Sequence, residues 1–476
     1  DDSIDFDLNV AQDNSANHLF VNGLLFSNSD RLKLIFKETE IFIKNKKWEA
    51  NTGIFTYKDK DFFEIEDIVL SQGQQRITLR SEPNDIFKNL TEVLIENINL
   101  NDFDYIPAVR NMGLKAILNG NLSVKDVFGM QQIEADLLAN DFVFSGQKIG
   151  DLNAQALKNK EDNFIALAGM VNNENYHLDI SGNLLLPKGK AASFDSLKLD
   201  IKHGKLAFME AFVGGFVSNT AGNVEGCVYF DGTVNQPNIN GFVKVLDGKT
   251  TVDYLGTTYE IDNQAIDFNR KLISINNQKI TDRDKNEAHL NGFLNLNDYR
   301  NLSIHIDVST DNFLFMDTKF EDNELFYGTA YGNGNVSFRG FLSQIEMSVN
   351  AKSNKGTNIY LPISYDEEVS NEDQFYTFIN KKETKDSIET ATTPIISTSG
   401  YKMNFDFDIT PDAEIQIIFD RQAGDIMKGR GSGNIKMEIS TINNYIFDMF
   451  GDYVIDKGSY LFTLQNVVNK YFTVEK

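Results

Sequence analysis

A single cysteine, Cys227, stands among 476 residues. It has no partner for an intramolecular disulfide and no neighbour for a thiolate metal site, so the fold rests on its ladders and its packing. Proline is scarce as well, at seven residues, roughly a third of an average share. Proline cannot donate to a ladder, and its scarcity suits long uninterrupted strands. Tryptophan occurs once, at Trp48, against 37 phenylalanines. Phenyl rings therefore supply the soft apolar area, either as an ordinary core or as a surface for a lipid-like ligand. No run of about 20 apolar residues exists, so no helix of this sequence spans a bilayer. No leader segment opens the chain, which starts inside an alternating strand at Asp1-Asp2-Ser3-Ile4-Asp5-Phe6 and reads as a piece of something longer.

Basic charge is also short. Lys and Arg number 45 against 69 Asp and Glu, for a net charge of −24. That balance excludes a nucleic-acid partner, which needs a basic footprint, and disfavours flat docking on an anionic membrane. The acid is spread over polar strand faces and loops, which keeps an extended β object in solution.

Catalytic constellations are missing. His18, His177, His203, His289 and His305 follow no metal-ligand spacing, and His177 and His305 fall on the polar phase of alternating strands. Asp406 and Asp408 look like a carboxylate pair for acid–base work, yet MNFDFDIT puts both on the wet face of one strand. Asp282-Arg283-Asp284-Lys285-Asn286 starts as a calcium loop does, but its sixth position is Glu287 where the turn needs glycine. A hairpin loop is the reading there. Gly429-Arg430-Gly431-Ser432-Gly433 would suit phosphate only before a helix and with a lysine. The strand-like IKMEI follows instead, so this is a turn or bend. No Gly-x-Ser-x-Gly motif occurs. Neither enzymatic catalysis nor a cofactor nor a metal is expected.

What the chain has in quantity is alternation. IDFDLNV (Ile4 to Val10), LSIHIDVS (Leu302 to Ser309), NFDFDIT (Asn404 to Thr410) and IKMEIS (Ile435 to Ser440) put an apolar side chain at every second residue. Successive strand side chains point to opposite faces, so each stretch builds one oily and one wet face. An apolar-x-Gly-x-apolar motif recurs at Gly23, Gly120, Gly169, Gly182, Gly241, Gly292 and Gly340, with irregular spacing. Glycine inside a strand pattern marks a bulge or bend, and repeated bends let a long sheet curl. Asn333-Gly334, Asp247-Gly248, Lys188-Gly189 and Asp231-Gly232 read as turns.

Helical spacing is rare. It fits Leu206, Met209, Val213 and Phe216, then Ile442, Tyr445, Ile446, Met449 and Phe450, with a short helix around Asp102 to Met112. Leu464, Val467, Val468, Tyr471 and Phe472 fit it ambiguously. Such helices would cap sheet ends. Asp366 to Thr393 is polar, charge-dense and without periodicity, and reads as a surface loop.

Three blocks carry a family resemblance: GNVEGCVYFDGTVNQPNINGFVKVLDGKTTVDYLGTTYEI (Gly222 to Ile261), ITPDAEIQIIFDRQAGDIMKGRGSGNIKMEI (Ile409 to Ile439) and FGDYVIDKGSYLFTLQNVVNKYFTVEK (Phe450 to Lys476). With GTAYGNGNVSFRG (Gly328 to Gly340) and GTNIYLP (Gly356 to Pro362) between them, their order resembles the TamB family. These are translocation and assembly module subunits, AsmA-like, here in the Bacteroidota form. The resemblance is strong from about Leu206 onward. It implies an all-β fold, an elongated and strongly curved sheet forming a groove open along one side (a β-taco), with a few short helices. It further implies a periplasmic bridge between inner and outer membranes that moves phospholipid, paired with an Omp85-type outer-membrane barrel such as a TamA- or TamL-like protein. The family's inner-membrane anchor is absent from this sequence, and the family usually continues beyond the point reached at Lys476.

On that footing the chain divides into groove sections 1–205 and 206–363, a polar loop or insertion 364–396, and a C-terminal family section 397–476. A phospholipid would keep its acyl chains on the apolar phase and its headgroup in the wet seam. The lining expected is Ile304, Ile306 and Val308; Val336 and Phe338; Met347 and Val349; Phe405, Phe407 and Ile409; Ile415, Ile417 and Phe419; Met437 and Ile439. The same residues could instead close into a dry sandwich core, and alternation does not separate the two. A scaffold for outer-membrane or secreted proteins, offering strand edges for pairing, is the competing function.

Overall fold

The computed structural model describes residues 2–475 apart from 12–16, 28–30, 45, 60–61, 85, 87, 107–108, 111, 188, 211–216, 262, 298–301, 325, 363–399, 422–423, 443–444 and 465–467. The polar stretch 366–393 therefore lies outside the described residues, as do Val213 and Phe216. The chain separates into two compact units. One holds Asp1–Ala211, Asn223–Lys244 and Phe268–Arg270; the other holds Phe212–Gly222, Val245–Asp267 and Lys271–Lys476.

In the first unit an antiparallel meander runs in chain order. It starts with β1 (Asp2–Ala11), β2 (His18–Ser27) and β3 (Leu32–Ile43), followed by β4 (Lys46–Ala50) and β5 (Ile54–Asp59). Both of the latter pair with β3, so together they occupy the place of one strand. Next come β6 (Phe62–Gln72), β7 (Gln75–Asn84) and β8 (Lys88–Asn99), a 3-10 turn at Leu100–Phe103, β9 (Lys115–Lys125) and β10 (Gln132–Phe144). The run continues with β11 (Gln147–Lys158), β12 (Phe164–Asn172), β13 (His177–Leu185) and β14 (Ser193–Lys205). A second 3-10 turn at Leu206–Met209 leads to β15 (Val217–Thr233) and β16 (Gln236–Val252), whose residues 223–233 and 236–244 belong to this unit and the remainder to the other.

In the second unit a 3-10 turn at Asp253–Leu255 precedes β17 (Thr257–Ile261), β18 (Gln264–Arg270), β19 (Leu272–Thr281), β20 (Glu287–Asn295), β21 (Ser303–Thr318) and β22 (Tyr327–Phe341). β23 (Gln344–Ser353) and β24 (Asn358–Pro362) lie end to end along β22. β25 (Gly400–Ile409) and β26 (Glu414–Asp420) pair with them in parallel. β27 (Asp425–Ser440), β28 (Ile446–Leu464) and β29 (Val468–Glu475) finish the sheet.

Several sequence expectations change here. Ile442 to Phe450 is not a helix: from Ile446 it is β28, in register with β27 from Ser440↔Ile446 to Met437↔Met449. Leu464 to Phe472 runs into β29, paired through Tyr460↔Phe472 and Leu461↔Tyr471. Apolar residues on both phases satisfy a helical and a strand pattern together, and the unpaired edge of β27 decides for strand. Asn333-Gly334, Asp247-Gly248 and Asp231-Gly232 are not turns; they lie inside β22, β16 and β15. The Gly429–Gly433 run is strand too, with a register shift between Arg430 and Gly431.

The recurring Asn-Gly pair has a specific structural role. Ile95 faces Gly120, but the next pair is Ile98↔Leu118, so Glu96 and Asn97 bulge opposite Asn119. Asn97 takes φ 52°, and its backbone N–H donates to Asn119 Oδ1 at 2.9 Å. The same arrangement recurs at Gly292. Ile275↔Gly292 is followed by Gln278↔Leu290, Asn277 has φ 48°, and its N–H donates to Asn291 Oδ1 at 2.8 Å. Asparagine tolerates the left-handed conformation, and a neighbouring amide satisfies the donor that the bulge frees. The glycine is required because a Cβ at Gly120 would lie 2.2 Å from the Asp136 carbonyl, and one at Gly292 1.9 Å from that of His305.

The calcium-like run Asp282–Asn286 closes a hairpin. Asp282 is fully buried; its carboxylate accepts from the N–H groups of Asp284, Asn286 and Leu314 and from Asn286 Nδ2, all at 2.9 Å. Every oxygen is engaged within the chain, so the carboxylate serves as a turn cap.

Candidate functional site

The apolar phase of successive strands falls into rows across the sheet. In the first unit one row is Ile77, Ile95, Gly120, Leu137, Ala154, Gly169, Ile180, Leu199 and Val228, each the direct partner of the next. A parallel row is Leu79, Val93, Leu122, Ala135, Ala156, Leu167 and Gly182. Leu122, Leu137, Leu167, Ile180 and Leu199 are only half-buried. A face covered by a second layer would bury them fully, so these rows form an apolar surface within reach of solvent. The small Gly and Ala positions leave it shallow.

One end of these strands is covered. The connection after β8 brings Phe103 edge-on to Trp48 at 6.0 Å, and Trp48 is 2% exposed. Asp102, also buried, accepts from Lys46 Nζ at 2.8 Å and Gln75 Nε2 at 2.9 Å. Burial raises the Asp102 pKa, but the Lys46 and Gln75 contacts outweigh it and leave the carboxyl below the usual range. The connection after β14 places Phe208 at 5.5 Å from Phe144, over Ile149, Val171 and Tyr176.

In the second unit the face closes on itself. The row Val308, Val336, Val349, Phe405, Met437, Met449 lies beside the row Ile306, Phe338, Met347, Met403, Ile439, Phe447. Val336, Met347, Met403, Phe405, Met437 and Ile439 are buried in one cluster with Met316 and Phe326. Curvature brings the walls together. β17 and β25 are six pairings apart, or about 29 Å of flat sheet. Yet Tyr254, in the turn before β17, lies 6.3 Å from Tyr401 at the start of β25. Burial raises the Tyr254 phenol pKa, with Tyr401 and Tyr445 adding to the effect.

The structure puts Ile304, Ile306, Val308, Val336, Phe338, Met347, Val349, Phe405, Phe407, Met437 and Ile439 on this common face. Ile409 continues it opposite Gly433. Ile415 and Ile417 face Ile359 and Leu361, which pack against the same cluster. Phe419 sits apart, edge-on to Tyr460 at 5.8 Å, and Ile418 on the other phase is buried as well. Sequence reading placed no lining residue in the first unit, although the half-buried rows are there. Their signal was the repeated apolar-x-Gly-x-apolar motif, which was read for its bend and not for the face it occupies.

The opposite face carries ion pairs between neighbouring strands: Arg339 with Asp307 at 2.6 Å, Lys402 with Glu438 at 3.0 Å and Lys436 with Asp406 at 3.3 Å. Asn434 donates to Asp406 and, with Lys436, holds that carboxyl below its ordinary value. Among the described residues no group of three or more His, Cys, Asp or Glu is placed to hold a metal ion. Among the described residues no helix is long and apolar enough to cross a membrane.

Residues 277–476 match the family model described as the TamB C-terminal domain. Comparison with curated proteins and with solved structures found no match.

Proposed function

We propose that this chain, whose residues 277–476 match the family model described as the TamB C-terminal domain, is a TamB-type protein and a section of an envelope conduit for phospholipid. In this reading it lies in the periplasm between inner and outer membranes and works with an Omp85-type outer-membrane barrel. Acyl tails rest on the apolar rows while headgroups stay in water. Each methylene kept from water is worth about 0.8 kcal/mol, so a tail gains from continuous contact and slides between equivalent positions.

One observation supports this reading above others: two apolar rows cross the strands of the first unit, half-buried. In the second unit the self-packed stretch Phe338, Met347, Phe405, Met437 and Ile439 would line the passage where its walls part. A photo-crosslinking residue at Leu137 or Ile180 should capture phospholipid in cells, and one at Asp136 on the wet face should not. Equal capture from both faces would remove the conduit reading.

The scaffold reading has its own support. β29 pairs only with β28 among the described strands, and Tyr471 is 75% exposed on it. An unpaired edge offers backbone groups to another strand. Crosslinks to barrel proteins from Tyr471, without lipid capture at Leu137, would favour this reading.

A further inference from the structure

The wet face of the second unit contains a depression. It has a volume of about 490 Å³ and lies across β22, β23, β25 and β27. A twisted, coiled sheet is saddle-shaped, so the face opposite the trough is concave along the other diagonal. Two transverse rows form the lining. One runs Asn335, Asn350, Asp406, Lys436, Phe450, and the other Asp307, Ser337, Ser348, Asn404, Glu438.

The chemistry of the lining is uneven. Its charged groups are neutralised within the chain, Asp307 by Arg339, Asp406 by Lys436 and Glu438 by Lys402. Asn404 donates to Glu346 at 3.2 Å. The centre differs: among the described residues Asn335, Asn350, Ser337 and Ser348 have no side-chain hydrogen-bond partner. They are short, which makes the dent, and between them they present two amides and two hydroxyls that both donate and accept. Phe450 stands at the rim on the polar phase, opposite Lys436 and 65% exposed. Alternation requires a polar residue at that position.

We propose that this depression binds an uncharged oligosaccharide. Planar amides and hydroxyls match the paired donor and acceptor capacity of sugar hydroxyls, and an exposed phenyl ring gives the apolar face of a pyranose a surface to stack on. The size falls within the range of small-molecule sites. Internal pairing of the charges leaves no free cation for an acidic polymer, and the net charge of −24 repels one. An extended peptide is less well served, because the backbone groups beneath the depression are already used in the ladders. The site is independent of the trough and of the conduit reading.

The test is calorimetric titration of the full chain with three neutral trisaccharides: chitotriose, cellotriose and maltotriose. Binding of at least one with a Kd of about 1 mM or tighter is expected. Phe450→Ala should weaken it about tenfold, and Ser348→Trp, which fills the dent from its floor, should abolish it. Circular dichroism of both variants should match the parent, since neither position is buried. Two outcomes would overturn the proposal. One is no heat from any trisaccharide at ten times that concentration. The other is binding that folded Phe450→Ala and Ser348→Trp leave unchanged, because the sugar would then sit elsewhere. If one variant fails to fold, the other decides alone.

Discussion

Gly120 and Gly169 occupy the same motif, the same face and the same transverse row, separated by Leu137 and Ala154, yet replacing each by alanine should have opposite consequences. A Cβ at Gly169 meets Asn153 and Ile180 atoms at 3.4 Å, an ordinary contact. One at Gly120 would sit 2.2 Å from the Asp136 carbonyl oxygen and 3.0 Å from Leu137 Cα. Both of those atoms are backbone, so β9 and β10 must separate by about 1 Å to relieve the overlap. Such a shift stretches the two nearest ladder bonds beyond useful length, at about 1 kcal/mol each. Overpacking adds about 1–3 kcal/mol. The total for Gly120→Ala is about 3–5 kcal/mol, whereas Gly169→Ala should be neutral or stabilising by about 0.5 kcal/mol through its unfolded chain. Trp48, the only tryptophan, is buried in the same unit, and its fluorescence in urea reports that unit's unfolding. With a slope of about 3 kcal/mol per molar urea, Gly120→Ala should lower the midpoint by about 1 M or more. Indistinguishable midpoints for the two variants would refute the reasoning that strand-to-strand approach, and not the motif, makes a glycine necessary.

Asn291→Ala should remove the cap on the Asn277 N–H and lower the stability of the second unit by about 1 kcal/mol, read by near-ultraviolet circular dichroism of its tyrosines. Asp282→Ala strips four hydrogen bonds from buried surroundings, and a loss of about 4 kcal/mol is expected. Tyr259, stacked on Phe313 at 4.9 Å, should then lose its fixed environment and the hairpin should become open to protease. Asp102 titrates below its ordinary value in the fold, so its contribution is complete above the unfolded carboxyl pKa of about 3.9. That contribution is lost as pH falls through the lower folded value. Trp48-monitored stability should therefore drop below about pH 4, and Asp102→Asn should remove that part of the acid sensitivity while lowering stability at neutral pH.

Some of this was determined by the chain alone. The assignment of Val336, Phe405 and Met437 to one face and of Asn404, Asp406 and Lys436 to the other follows from alternation, since successive Cβ atoms point to opposite sides of any strand. The hairpin reading of Asp282–Asn286 was legible for the same local reason: the sixth position holds a side chain where a calcium loop needs glycine. Asn333-Gly334 was not legible, because an Asn-Gly pair either makes a hairpin turn or lies in a strand facing a neighbour's bulge, as it does here opposite the shift between Thr310 and Phe313. The segment from Ile446 was misread because its apolar residues fit two periods, and the free edge of β27 chose between them. The distance between the walls was beyond sequence altogether. Rows of similar composition are half-buried around Leu137 and packed around Met403. That difference accumulates from small twists over many pairings, and no single residue records the sum.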